Sequence, residues 1–302
     1  MPDGKREVFF CQRDAKGRSL NMAIQDIQSP LDRRLLPFQN IQDRYYAERS
    51  GLFVVEGRAN MRRLATTPNI ESHSFLLTPT AYEALKDALG TPSSPASIYR
   101  ISPQHLNEVA GYRVHRGGLA LGRRPPPLEM KDLLENGPAD VGRLLLVENI
   151  GNPENMGALF RNARAFGLHS VLLGPKCVDP LYRRCIRVSM GASFMLRFLQ
   201  VEHWLSLVEG VRASGYRVVA LDPAGLSIDR YSQKGWPKKL ALMVGHEGDG
   251  LSPESLAVAD QRCAIPMVPG MDSINVATAA AIAMQRSMMT PAQSDIDCER
   301  KS

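Results

Sequence analysis

Aromatic residues are scarce in this chain, at 6% of 302 residues with only two tryptophans. Long apolar runs are missing as well. The richest, Ile274 to Met284, falls well short of the roughly 18 residues that span a bilayer as a helix. Five cysteines, Cys11, Cys177, Cys185, Cys263 and Cys298, form no C-x-x-C pair and have no histidine at zinc spacing. A disulfide framework and a zinc knuckle are therefore not expected, and no metal is. Unpaired cysteines beside thirteen methionines suit a reducing compartment. Residues Met1 to Asn21 carry no secretory apolar core. The expectation is a soluble, cytoplasmic protein with no membrane partner. Neither sign of charge dominates: 37 Lys and Arg stand against 31 Asp and Glu, a net +6. That permits a polyanionic partner without requiring one. What is present in quantity is apolar side chain, 44%. At this length it is enough for a core without staples and suggests two domains.

The chain divides on its prolines and its periodicity. Residues 1–30 mix charge, Gly and Gln with little periodicity, and read as a flexible leader with a short strand at Val8 to Phe10. A first unit, 31–122, alternates strand patterns (Leu52 to Val55, Ser74 to Leu77, Ile98 to Ile101) with helical ones (Gly57 to Ala65, Pro79 to Leu89, Pro103 to Ala110). Arg123-Arg124-Pro125-Pro126-Pro127 opens a linker over 123–140, because proline fixes φ and cannot donate to a sheet ladder. A second unit, 141–290, starts on the strand Leu144 to Val147. It then alternates helices with strands at Ser170 to Leu173, Leu196 to Leu199, Arg217 to Leu221, Leu240 to Val244 and Cys263 to Met267, with a last helix Ser273 to Met288. Such alternation predicts an α/β fold with a parallel sheet covered on both faces. Residues 291–302 read as a flexible tail.

In open α/β sheets ligands bind beyond the carboxyl ends of the strands. Three of these ends are rich in Gly, Asn and polar side chains. Asn149 to Ala158 follows a strand and opens a helix that carries Arg161. The free N–H groups of a helix start suit anions, although a capped start with an outward arginine explains the same residues. Gly245-His246-Glu247-Gly248-Asp249-Gly250 follows Leu242 to Val244. Its spacing is neither a dinucleotide fingerprint nor a P-loop, and Glu247 there can be acid, base or turn residue. His246 is read as exposed or packed, not catalytic. Ile265 to Ala277 runs from a strand through Pro269-Gly270 into a small-sided helix capped near Asp272 or Ser273.

The order of these three segments, each at a strand end of one unit, resembles the SpoU (TrmH-like) family of RNA ribose 2′-O-methyltransferases in the SPOUT class. Asn155 through Arg161 to Gly167 is similar to its first motif, Val244 to Leu251 to its second and Ile265 to Ala277 to its third. The resemblance spans Leu144 to Met288. The first unit resembles, more loosely, the ribosomal-protein-like RNA-binding domain that precedes the catalytic domain in several members.

The resemblance implies a C-terminal trefoil knot, against the general rule that chains do not thread loops. It implies S-adenosyl-L-methionine bound on backbone near Leu221, Gly245, Ile265, Met267 and Asn275. It also implies a homodimer through the last helix, whose alanines permit close approach of a partner. Asn155, Arg161, Glu247, Ser273 and Asn275 take the places around the reacting ribose. Arg161 is either a general base or an electrostatic anchor. An arginine pKa of roughly 12.5–13.8 makes the base role costly at pH 7, so the anchor is preferred, with Glu247 orienting and the other three positioning. Arg44, Arg49, Arg58 and Arg116 head a set of basic residues read as RNA-binding. Arg62, Arg63, Arg113, Arg123 and Arg124 belong to it too, and Tyr45, Tyr46 and Tyr112 are read as stacking platforms for bases. The added first domain points to ribosomal RNA before transfer RNA. A catalytically silent RNA-binding homologue is the competing reading, and the presence of all five site residues speaks against it.

Overall fold

A computed structural model of the chain describes residues 8–13, 19–43, 45–68, 70–89, 97–135 and 142–289. It separates into two compact units, Met1–Pro126 with Pro180–Met195, and Pro127–Asp179 with Leu196–Ser302.

The first unit is built on a mixed sheet of β1 (Val8–Arg13), β2 (Ser19–Asp26), β3 (Leu52–Glu56), β4 (Ser72–Leu77), β5 (Ser97–Arg100) and β6 (Gly118–Arg123), in the order β1-β2-β5-β4-β6-β3. The expected leader is thus a hairpin in part. β1 and β2 pair antiparallel, and β2 runs parallel to β5 from Ile24↔Ile98 to Asp26↔Arg100. The Ile24 and Ile27 side chains are buried, and the Arg100 guanidinium holds Asp26 through two hydrogen bonds of 2.8 Å. β3 reads Leu-Phe-Val-Val because both of its faces are covered. One face joins a cluster with Leu35, Phe38, Ile41, Leu76, Leu106 and Leu121. On the other, Phe53 stacks on Phe194 with ring centroids 5.6 Å apart.

Phe194 belongs to the stretch 180–195, which the sequence assigns to the second unit but which packs with the first. Arg183 donates to Glu56 at 2.6 Å and lies over the Tyr112 ring at 4.7 Å. Arg63 donates to the Met190 carbonyl. The expected helix Leu181 to Met190 is correspondingly short, Arg183–Val188.

The second unit holds β7 (Gly142–Val147), β8 (Ser170–Leu173), β9 (Arg197–Gln200), β10 (Arg217–Ser227), β11 (Lys239–Val244) and β12 (Gln261–Ala264). The order is β12-β10-β11-β7-β8-β9 and every pairing is parallel, as the alternation of elements predicts. Leu144 and Leu146 face one buried cluster with Trp204, Leu207 and Val208. The helices Pro153–Ala165 and Val276–Met289 pack against each other, tied by the Asn162 side-chain amide on the Ala277 carbonyl at 2.9 Å. Ala277, Ala280 and Ala283 are buried inside this chain. Their small side chains serve close packing within the unit, while Ala279 and Ala281 on the same helix are half-buried.

Part of the expected linker is also structured. Residues Met130–Glu135 form a helix, and Leu133 sits fully buried in the second unit's core. Pro223 and Gly225, residues that commonly end a strand, instead lie within β10. That strand stays paired with β12 through a bulge between Leu221 and Leu226. The 291–302 tail lies outside the described residues.

Candidate active site

The sheet of the second unit changes direction at β7. From β7 the chain steps to β8 and β9 on one side, then returns to β10 and β11 on the other, and β11 lies against β7. Such a switch point opens a crevice at the carboxyl ends of the strands, and the first two polar segments leave from β7 and β11.

After β7, Asn149 takes a left-handed conformation (φ 58°) and turns the chain sharply. Asn152 then caps the Pro153–Ala165 helix, its side chain accepting from the N–H groups of Glu154 (2.8 Å) and Asn155 (3.4 Å). After β11, the loop folds back through paired backbone bonds between His246 and Gly250, at 2.9 and 3.0 Å. A Cβ on Gly245 would lie 2.3 Å from the Gly250 carbonyl oxygen, so only glycine fits there. His246 Nδ1 accepts from the Gly248 and Asp249 N–H groups, both at 3.2 Å. The histidine is exposed, as expected, and closes this turn.

The two segments and the third meet through side chains. Asn275 Oδ1 accepts from the N–H groups of Ala277 (3.0 Å) and Thr278 (3.2 Å). This corrects the expected cap: Asn275, not Asp272 or Ser273, starts the last helix, which runs Val276–Met289. Because that oxygen is committed, the Asn275 amide must present its NH₂, and it donates to Asn155 Oδ1 at 2.7 Å. Asn155 in turn donates through Nδ2 to Glu247 Oε1 at 2.8 Å. The donor direction runs from the helix start to the carboxylate and leaves Glu247 as an acceptor. Its other oxygen, Oε2, makes no hydrogen bond among the described residues.

Three of the five expected catalytic residues therefore form one connected chain. The other two do not join it. Arg161 is exposed and has no hydrogen bond or ion pair among the described residues, and Ser273 is exposed likewise.

The expected cofactor-binding positions lie on neighbouring strands. Leu221 ends the regular part of β10, Gly245 follows β11 directly, and Ile265 follows β12. Ile265 and Met267 are half-buried, and their backbone groups pair with nothing among the described residues. That leaves main-chain donors and acceptors free at the strand ends for a ligand.

Sequence reasoning missed Glu148. It is 4% exposed at the end of β7 and receives both the N–H (3.1 Å) and the hydroxyl (2.7 Å) of Ser252. It thereby ties the far end of the Gly245 loop to β7. An acidic residue closing an otherwise apolar strand was the available signal. Among the described residues no group of three or more His, Cys, Asp or Glu could hold a metal, and no helix is long and apolar enough to cross a membrane.

The basic residues of the first unit separate into two kinds. Arg49 pairs with Asp43, Arg62 with Asp87 and Arg123 with Glu71. Arg58, Arg113 and Arg116 line a cavity and have no such partner among the described residues. Arg44 lies outside the described residues. Tyr46 and Tyr112 are packed against the core, their hydroxyls bonded to the Pro37 carbonyl and to Glu56. Both rings are half-buried and Arg183 lies over the Tyr112 ring, whereas Tyr45 is exposed.

Comparison with known proteins agrees with this geometry. Residues 142–285 match the SpoU rRNA Methylase family. An uncharacterized tRNA/rRNA methyltransferase of Mycobacterium bovis is 33% identical over 266 residues, 86% of this chain and 90% of that protein. The 23S rRNA (guanosine-2′-O-)-methyltransferase RlmB of Acinetobacter baylyi is 31% identical over 194 residues, 62% of this chain and 76% of that one. The fold matches the SpoU methyltransferase AviRb of Streptomyces viridochromogenes, solved with AdoMet, at a TM-score of 0.71 and 22% identity, over 85% of this chain and 97% of that one. With the strand-end network and the matched segment covering the same residues, the chain belongs to the SpoU family of RNA methyltransferases.

Proposed function

We propose that this protein transfers a methyl group from S-adenosylmethionine to a ribose 2′-hydroxyl of structured RNA, ribosomal RNA before transfer RNA. The observation that carries this reading is the chain Asn275–Asn155–Glu247, which leaves Glu247 Oε2 without a hydrogen bond among the described residues, 3.9 Å from His246 Nε2, at the switch point. The Acinetobacter relative is by name a 23S rRNA 2′-O-methyltransferase, which supports both the ribose and the ribosomal substrate.

S-adenosylmethionine, when bound, supplies a methyl group on a sulfonium that leaves as a neutral thioether. The unpaired main chain at Ile265 and Met267, beside Leu221 and Gly245, suits such a ligand. The rest falls to the protein. Glu247 Oε2 accepts a hydrogen bond from the 2′-hydroxyl and orients its oxygen, Asn155 holds the carboxylate in place, and the hydroxyl proton passes to solvent water as the oxygen–methyl bond forms. Arg161 stays charged, binds an RNA phosphate and stabilises negative charge as it develops on the ribose oxygen. Ser273 positions the ribose or phosphate. The first unit supplies RNA affinity.

The same reading includes a C-terminal knot, a homodimer and a cytoplasmic location. The dimer contact uses the last helix through its half-buried Ala279 and Ala281 and the exposed Met288, with Met271 beside it. The test is incubation with labelled S-adenosylmethionine and RNA from cells lacking the protein, followed by mapping of the product. Alkali-resistant 2′-O-methyl dinucleotides are expected. Label on a base would overturn the ribose assignment.

A further inference from the structure

The first unit contains a cavity that the methyl-transfer chemistry does not use. Its volume is about 390 Å³, within the roughly 300–1,000 Å³ range of small-ligand sites. Arg58, Arg113 and Arg116 line it, and no carboxylate does. Neighbouring arginines of this unit are neutralised by Asp43, Asp87 and Glu71. These three are not paired among the described residues, and the Arg58 Nε is buried with no acceptor. A buried guanidinium N–H without a partner is a donor waiting for an anion.

Part of the wall is shaped by backbone. Arg116 adopts a left-handed conformation (φ 67°), followed by Gly117 at φ 72°. Such a conformation is rare for a side chain other than glycine, asparagine or aspartate. It is held because the Thr78 N–H donates to the Gly117 carbonyl at 2.8 Å. A Cβ on Gly117 would meet Thr78 Oγ1 at 2.5 Å. The Thr78 hydroxyl accepts from the Ala81 N–H at 3.3 Å and keeps its own hydrogen uncommitted. Leu106 and Val114 form an apolar floor buried in the core of the unit, and the exposed Pro103 ring adds accessible apolar surface. Cationic groups beside apolar surface match a phosphate joined to a flat, weakly polar body.

We propose that this cavity takes a single nucleotide of the RNA, turned out of its stack, with its 5′-phosphate clamped by Arg58, Arg113 and Arg116 and its base against the exposed ring of Pro103. The pocket rests on the reading that the substrate is RNA, and is independent of the methyl-transfer step. It makes the first unit a reader of an unstacked nucleotide as well as a basic surface.

The experiment titrates the full-length protein with AMP, GMP, CMP and UMP, with the corresponding nucleosides and with inorganic phosphate, followed by calorimetry and ligand-observed NMR. At least one monophosphate should saturate at about 1–10 mM, as expected for one small charged ligand. The nucleoside and inorganic phosphate should each bind about tenfold more weakly. Arg113→Gln with Arg116→Gln should weaken the monophosphate by at least about tenfold. Both residues are exposed, so the fold should hold, and unchanged S-adenosylmethionine affinity checks it. The proposal falls if no monophosphate saturates, if phosphate alone binds as well, or if the double variant binds normally. Methylation of RNA without monophosphate binding would sink the pocket and spare the enzyme. Monophosphate binding without methylation would do the reverse.

Discussion

The polar groups of the two units are arranged in opposite ways. In the second unit the side chains at the strand ends satisfy one another: Asn275, Asn155 and Glu247 form a directed chain, and Glu148 is closed by Ser252. In the first unit Arg58, Arg113 and Arg116 meet no counter-ion among the described residues. A preorganised network suits a reaction, because donors and acceptors then need no rearrangement when charge develops. Unpaired cations suit binding, because a polyanion brings the missing charges itself. Under the proposed function, rate falls to the second unit and RNA affinity to the first, and experiment can break this division.

The largest effect is expected at Arg161. Arg161→Ala should lower the single-turnover rate on saturating RNA by about 10²–10³-fold, the range for losing a preorganised donor, with cofactor affinity little changed. Arg161→Lys should keep part of the rate with a flat pH profile, because a point charge replaces a bidentate one. A log-linear rise with pH in the lysine variant alone would mean general-base catalysis instead.

Next in size is the core under the network. Leu146→Ala should destabilise the second unit by about 2–5 kcal/mol in denaturant unfolding, since its side chain is fully buried beside Trp204. A related expectation concerns truncation. A fragment starting at Val141 leaves Phe194 without Phe53 and Arg183 without Glu56. It should expose the 180–195 stretch to protease even where the parallel sheet folds. Equal resistance of this stretch in fragment and full chain would separate it from the first unit after all.

A smaller effect sharpens the affinity side. If Arg113 and Arg116 each neutralise one RNA phosphate, their double Gln variant should reduce the slope of log K against log salt by about two. Arg49→Gln should change the slope less, its charge being shared with Asp43. Similar slopes for both would return the first unit to an undifferentiated basic surface.

The smallest effect concerns pH. His169 of the second unit is held below its ordinary range by burial, with Arg197 adding to the effect. His73 of the first is lowered by burial and by Arg123. A histidine with a depressed folded pKa takes up its proton more readily when unfolded. Its stabilising contribution is thus complete above the unfolded value of about 6.5 and shrinks as pH falls below it. Melting temperature should drop between pH 7.5 and 5.5, and His169→Gln should flatten that drop.

Much of this was readable from residue order. Leu144 to Val147, Leu240 to Val244 and the intervening helical periods announce a parallel sheet, because strands covered on both faces must be apolar throughout. Asn155, Glu247 and Asn275 were legible as polar residues at three strand ends. What periodicity does not carry is contact between distant segments. Residues 180–195 have a helical pattern that fits either unit, and Phe53, Glu56 and Arg63, more than a hundred residues away, decide where they pack. The alanines of the last helix suit any close neighbour, and the neighbour is the chain's own 153–165 helix.

Local chemistry thus determined the elements, the parallel sheet and the types of residue at its ends, since burial and backbone pairing follow from neighbours a few positions apart. Tertiary structure alone decided which polar groups were spent. Asn275 became both a helix cap and the donor to Asn155. Arg49 was neutralised while Arg116 was left free. Whether a hydrogen-bonding group or a charge remains available depends on which partner lies within about 3 Å after folding, and that distance is not a property of spacing along the chain.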